Sequence, residues 1–170
     1  MTSAGLRTLY VFGAGGHGRE VAWIGRASHP SARLIHLVDD ERFLSSPVNG
    51  APVQELRRLT PEEDAGFVVA VGDPALRRRA AAALLQIGLR PVALVHPAAV
   101  VTPTARIGAG TVVYAGTFIS DAVEIGAHAV VNTGCTLSHD VRVGDYVTIS
   151  PGVHVAGHVA IEDMAYLGIG

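Results

Sequence analysis

The sequence predicts two joined folds, a small Rossmann-like α/β unit over residues 1–94 and a hexapeptide-repeat parallel β-helix over residues 95–170. Three observations carry this. From Val95 the chain divides into twelve consecutive hexads, each opening on Val, Ile or Leu, and Leu167 opens a thirteenth. The fifth position of every hexad is Ala, Thr, Val or Cys. Before Val95 the pattern is different: short apolar runs alternate with helical stretches, and the first run leads into Gly13-Ala14-Gly15-Gly16-His17-Gly18.

The α/β elements follow in order. Leu9–Phe12 reads as a buried strand, the glycine loop as a turn, and Arg19 to about Ala27 as a helix. Leu34–Val38 is a second strand, ending at Asp39-Asp40. Val48–Val53 is a short strand or a turn. Phe67–Val71 is a further strand, followed by Gly72-Asp73-Pro74 and a helix over 75–87. Pro91–Val95 closes the sheet, and His96-Pro97 marks the change of period.

In the repeat, six residues make one short strand and a turn. Three units close a triangular coil, so 18 residues form a rung. First-position aliphatics point inward and stack rung on rung. The fifth position stays small because the prism narrows there, and Gly at the second position or near the turn permits the bend. Backbone groups then pair with the rung above and below.

Composition narrows the function classes. The chain has 170 residues, 20 of them Gly, with 16% charged residues and a net charge of −2. Its longest basic run is Arg77-Arg78-Arg79, read as a solvated helix face with phosphate contact as the alternative. Nucleic acid is not indicated. No apolar run approaches the ~20 residues of a membrane span, and the N-terminus lacks signal-peptide features. A soluble, cytoplasmic protein is expected. Cys135 is the single cysteine and a fifth-position residue, hence a core residue.

Two constellations carry chemistry. Gly13, Gly15 and Gly18 fit G-x-G-x-x-G between strand and helix, where backbone N–H groups meet a phosphate. Asp39 follows at the end of the second strand, where a ribose or base contact falls. NAD is one ligand for such a loop. A nucleotide-sugar diphosphate fits better, because the second half of a dinucleotide fold is missing. His17 in the loop is read as a ligand contact, with a capping role as the alternative.

The second constellation is Asn132 with His139-Asp140. His139 is a third-position residue, outside the core, and an imidazole titrates near neutral pH, as a general base should. Asp121 precedes His139 by 18 residues and His158 follows Asp140 by 18, so these pairs stack at about one strand spacing, ~4.8 Å. Asp140 and Asp121 are both candidates to orient His139. His128, His154 and His158 share no face at 18-residue spacing, so no intrachain three-histidine metal site is expected.

The combination of the Gly-Ala-Gly-Gly-His-Gly loop with Asn132-Thr133-Gly134-Cys135-Thr136-Leu137-Ser138-His139-Asp140 resembles the hexapeptide-repeat sugar O-/N-acetyltransferases of the NeuD and PglD type, across the whole chain. The resemblance implies a left-handed β-helix and an acetyl-CoA-dependent acetyltransferase acting on a sugar or nucleotide-sugar amine or hydroxyl, without a metal. It implies His139 as base, Asp140 as its acidic partner and Asn132 as an active-site polar residue. The implied substrate contacts are Gly13, Gly15, Gly16, His17 and Gly72, with Asp39 and Asp40 on the uridine side. Thr148 and Gly157 are the implied acetyl-CoA contacts. A homotrimer is implied, with active sites between neighbouring helices. Members often carry a second histidine nine residues after the base, where this chain has Thr148. Members also continue for further coils beyond the position of Gly170. A non-catalytic nucleotide-sugar-binding or scaffold relative is the alternative reading, and an NAD-linked enzyme a third.

Overall fold

The computed structural model describes residues 5–44 and 46–170. Strands β1 (Thr8–Phe12), β2 (Arg33–Val38), β3 (Val53–Glu55), β4 (Ala65–Val69) and β5 (Arg90–Pro91) form one parallel sheet in the order β3-β2-β1-β4-β5. Helix α1 (Gly16–Ser28) crosses from β1 to β2, and α2 (Pro74–Gln86) from β4 to β5. The sheet is buried on both faces. Leu9 and Val11 pack with Val21 and Ile24 of α1, while Tyr10 and Phe12 pack with Ala81 and Leu84 of α2. This is the doubly covered parallel arrangement that alternating strand and helix patterns imply.

Two sequence expectations shift. The run over Pro91–Val95 is split, because Arg90–Pro91 completes the α/β sheet while Leu94–Val95 pairs with Val112–Val113 in the β-helix. The Val48–Val53 region becomes an isolated antiparallel bridge, Val48 to Ala51, followed by β3 at the sheet edge.

The β-helix is a three-sided prism of two-residue strands paired in parallel at 18-residue intervals. The first face carries Val100–Val101, Phe118–Ile119, Thr136–Leu137 and His154–Val155. The second carries Arg106–Ile107, Glu124–Ile125, Arg142–Val143 and Ala160–Ile161. The third carries Leu94–Val95, Val112–Val113, Val130–Val131, Thr148–Ile149 and Tyr166–Leu167. The second residue of each pair is the hexad's first position and points inward. Ile119, Leu137 and Ile149 are fully buried there together with Cys135.

The turn geometry refines the repeat. Ala122, His128, Asp140, Tyr146, His158 and Met164 have φ between +54° and +61°. All are fourth-position residues, so the left-handed bend falls there and not at the second position. The second-position glycines serve rung spacing instead: a Cβ on Gly126 would stand 2.7 Å from the backbone nitrogen of Asp145 in the next coil.

The α/β unit covers the third face. Leu94, Val112 and Val130, which point outward there, share one apolar cluster with Leu9, Val11 and Val21. Both flanking edges are also fastened. At one, Tyr114 meets His17 and His96 stacks on Trp23 at 4.4 Å between ring centres. At the other, His128 lies between Phe67 and Tyr146. The remaining edge, which carries Ala122, Asp140 and His158, is opposite the covered face.

Candidate active site

Backbone geometry builds the glycine loop. Gly13 has φ +118°, and a Cβ there would stand 2.8 Å from the Ala70 carbonyl oxygen. A Cβ on Gly18 would stand 2.4 Å from the Gly13 carbonyl oxygen, so only glycine lets α1 start this close to β1. His36 of β2 is fully buried, and its Nδ1 donates to the Gly13 carbonyl at 2.7 Å. The sequence reading missed this support, because a histidine inside a buried strand gives no periodic signal. Gly15 caps α1 without a side-chain bond, Gly16 is the first helical residue, and no acidic residue occupies the first turn. The open N–H groups at this helix start are suited to a phosphate.

A cavity of about 490 Å³ opens at the C-terminal ends of β1, β2 and β4, lined by Phe12, Asp39, Leu56, Val71, Leu76 and Arg79 among others. The two aspartates divide here. Asp39 lines the cavity, whereas Asp40 accepts from the Arg42 backbone N–H at 2.9 Å and pairs with the Arg42 guanidinium. The Arg42 side-chain hydrogen bond holds the Asp40 carboxyl below its ordinary range. Asp40 is thus already engaged as the cap of a short 3₁₀ turn at Glu41–Phe43, whereas Asp39 faces the cavity.

His17 faces the prism. Its Nδ1 is 2.9 Å from the Tyr114 hydroxyl, which also donates to Glu20 at 3.3 Å. Burial lowers the His17 pKa and raises that of Tyr114. The first turn of α1 lies against a prism edge, so the ring ties the two folds together while its backbone N–H stays at the helix start.

Arg77 corrects the solvated-face reading. It is 1% exposed and donates to the carbonyls of Val71, Gly72, His128, Tyr146 and Val147 and to Thr148 Oγ1. Burial pushes its pKa down to about 10. Arg78 and Arg79 are exposed. The Thr148 hydroxyl donates to the Gly72 carbonyl at 2.9 Å. Thr148 and Gly72 are therefore joined inside the interdomain contact. Thr148 lies on the covered face, not beside His139.

His139 and Asp140 follow the first face at the free edge. His139 Nδ1 donates to Asp140 Oδ2 at 2.9 Å, which leaves Nε2 as an acceptor. This hydrogen bond is the main cause holding the Asp140 carboxyl below its usual range. The alternative partner is occupied: Asp121 Oδ1 accepts from Thr104 Oγ1 at 3.0 Å. His158 Nδ1 stands 3.7 Å from the same Asp140 oxygen. Among the described residues these three form the one set whose histidine and carboxylate atoms lie within 4.8 Å of one another. The His139–Asp140 bond and the exposed position of all three leave an imidazole oriented by a carboxylate and open to solvent. Gly157 lies one coil beyond His139, under its ring. Asn132 is elsewhere. It follows Val130–Val131, on the edge of Tyr114 and the glycine loop, with the first face between it and His139.

An α/β unit whose helix start is suited to a phosphate, seated on a hexapeptide prism that presents His–Asp at its free edge, has the two-part plan of hexapeptide transferases. Residues 8–84 match the PglD N-terminal domain family. A 121-residue stretch is 35% identical to UDP-N-acetylbacillosamine N-acetyltransferase of Bacillus subtilis (strain 168), covering 65% of this chain and 52% of that protein. The match thus spans about half the length of that curated relative. The acetyltransferase domain of PglB from Neisseria gonorrhoeae FA1090, in complex with acetyl coenzyme A, is 36% identical with a TM-score of 0.88, covering 98% of this chain and 81% of the other. A variant of perosamine N-acetyltransferase from Caulobacter crescentus, in complex with CoA and GDP-perosamine, is 31% identical with a TM-score of 0.85, over 96% and 78% of the two chains. The chain belongs to the PglD-type family of sugar acetyltransferases.

Proposed function

We propose that this protein transfers the acetyl group of acetyl-CoA to the amine of a nucleotide-linked amino sugar, with His139 as general base. Relatives that bind acetyl coenzyme A and GDP-perosamine, or act on a UDP-sugar, support the substrate class. The diphosphate would lie on the start of α1, the base in the cavity beside Asp39, and the sugar beyond. The reading includes a cytoplasmic setting. Among the described residues no helix is long and apolar enough to cross a membrane.

The chemistry follows from the dyad. Asp140 fixes the Nδ1–H tautomer, so Nε2 accepts the amine proton as nitrogen attacks the thioester carbonyl. A C–N bond forms, the C–S bond breaks, and the thiolate leaves to be protonated as CoA. The groove along the second face, lined by Arg106, Glu124 and Arg142, runs to the His139 edge and gives room for an extended co-substrate.

One observation carries the assembly. The α/β unit covers the third face, and His139 lies on the edge opposite it. A sugar held by the glycine loop would therefore meet the His139 of another copy. Val100 and Phe118, 59% and 43% exposed, give the first face an apolar strip suited to such a copy, as in the trimer the family resemblance implies.

The test is release of free CoA thiol from acetyl-CoA with UDP- and GDP-linked amino sugars. Turnover is expected with an amino sugar and should fall ~10²–10⁴-fold in His139→Ala. Wild-type turnover in that variant, or binding of nucleotide sugar without any turnover, contradicts the reading; the second outcome favours a scaffold protein.

A further inference from the structure

The free edge holds a second imidazole that this mechanism does not use. His158 stacks one rung above Asp140 at the same left-handed turn position, with φ +61° against +60°. Its backbone N–H donates to the His139 carbonyl at 3.1 Å, and its ring meets the His139 ring edge-on at 5.0 Å between centres. Both Nδ1 atoms aim at one oxygen, Asp140 Oδ2, at 2.9 Å from His139 and 3.7 Å from His158.

We infer that His158 is a positioning residue: when protonated, it draws Asp140 away from His139 and takes the base out of alignment. At 3.7 Å a neutral imidazole makes no hydrogen bond to the carboxylate. A protonated one is attracted to it, and both side chains are exposed and free to close the gap. The other charged groups around the dyad do not compete in this way. Asp121, in the preceding coil, is held by Thr104, and its carbonyl accepts the Asp140 N–H. Arg142, on the dyad's own coil, carries the same charge at every working pH and favours ionised Asp140. His154, in the following coil, is hydrogen-bonded to Thr136 at 2.8 Å. The site thus loses its base through either of two protonations, on His139 directly or on His158 through Asp140.

This inference rests on His139 being the base, so His139→Ala is measured first; retained turnover there overturns both readings, whereas the profiles below overturn this inference alone. The test of His158 is the acid limb of kcat/KM against pH for wild type, His158→Gln and His158→Arg, with EDTA present throughout. If the shared carboxylate matters, log kcat/KM falls more steeply with decreasing pH in wild type than in His158→Gln over the range where His158 takes up its proton, the ionisation of the acceptor amine being common to both. The plateau of His158→Gln should change by less than about fivefold, the scale of an exposed ion pair. His158→Arg places a cation beside Asp140 at every pH and should lower the plateau at least about tenfold, part of the loss expected on removing the base. Acid limbs of equal steepness in wild type and His158→Gln, or a His158→Arg plateau equal to that of His158→Gln, would overturn the inference.

Discussion

The imidazole of His139 rests directly on the backbone of Gly157: a Cβ at Gly157 would stand 2.7 Å from Cε1 and 2.8 Å from Nε2. Gly157 has the place in its coil that His139 has one rung earlier. The missing side chain is what lets the ring lie flat along the edge with Nδ1 on Asp140. Gly157→Ala should displace the ring by a few tenths of an ångström or more and break the Asp140 alignment. Misplacing a catalytic group by about 1 Å costs on the order of 10²-fold, so kcat should fall ~10–100-fold. Because Gly157 is not in the left-handed region, thermal stability should stay close to wild type. Steady-state kinetics beside a melting curve checks both halves.

Arg77 is the structural link between the two folds. Its six acceptors are five carbonyls and one hydroxyl, and they come from the β4–α2 turn and from two coils of the prism. Arg77→Ala would leave several of them buried and unpaired. Each orphaned group costs ~1–3 kcal/mol, so the loss should be at least about 3 kcal/mol in urea denaturation. Arg77→Lys should recover little, because an ammonium cannot span acceptors on both sides. A loss under about 1 kcal/mol for Arg77→Ala would contradict this role.

Three histidines, His36 and His128 buried and His17 partly so, set an acid limit on stability. Burial lowers the pKa of His17, His36 and His128, and in each a ring nitrogen is buried without a partner. The folded chain therefore binds protons less readily than the unfolded one. The stability these residues contribute is complete above the unfolded value of about 6.5 and is lost as pH falls below it. Each proton taken up on unfolding steepens the decline by as much as ~1.4 kcal/mol per pH unit. Urea midpoints should hold from neutral to mildly basic pH and fall from about pH 6.5 towards 5. A flat profile over that range would show that the three rings titrate freely in the folded state.

The prism was legible because every sixth side chain is forced into a narrow interior. Ile119, Leu137 and Ile149 announce the repeat, and Cys135 falls in the core for the same reason. The choice between Asp140 and Asp121 was not legible. Rung spacing puts both near His139, and the outcome depends on Thr104 engaging Asp121. Arg77 left a signal that its neighbours in the Arg triplet obscured. It lies on one helix stripe with Ala81 and Leu84, the buried face of α2. Asp39 and Asp40 were equivalent in sequence until the Arg42 contact separated them. Asn132 and His139 were grouped by closeness in sequence, yet seven residues carry the chain from one prism edge to the next.

With His139 and the glycine loop on different edges of one chain, a complete site needs two copies, and mixed oligomers test this most directly. His139→Ala removes the base and Asp39→Ala weakens the acceptor pocket, the two changes lying on opposite sides of one chain. Each variant alone should be nearly inactive at low acceptor concentration. Co-expressed in equal amounts, they should recover about one quarter of the wild-type rate, the share of junctions that unite two intact halves when chains assort at random. Activity no greater than the average of the two separate variants would contradict a site built from two copies of the chain.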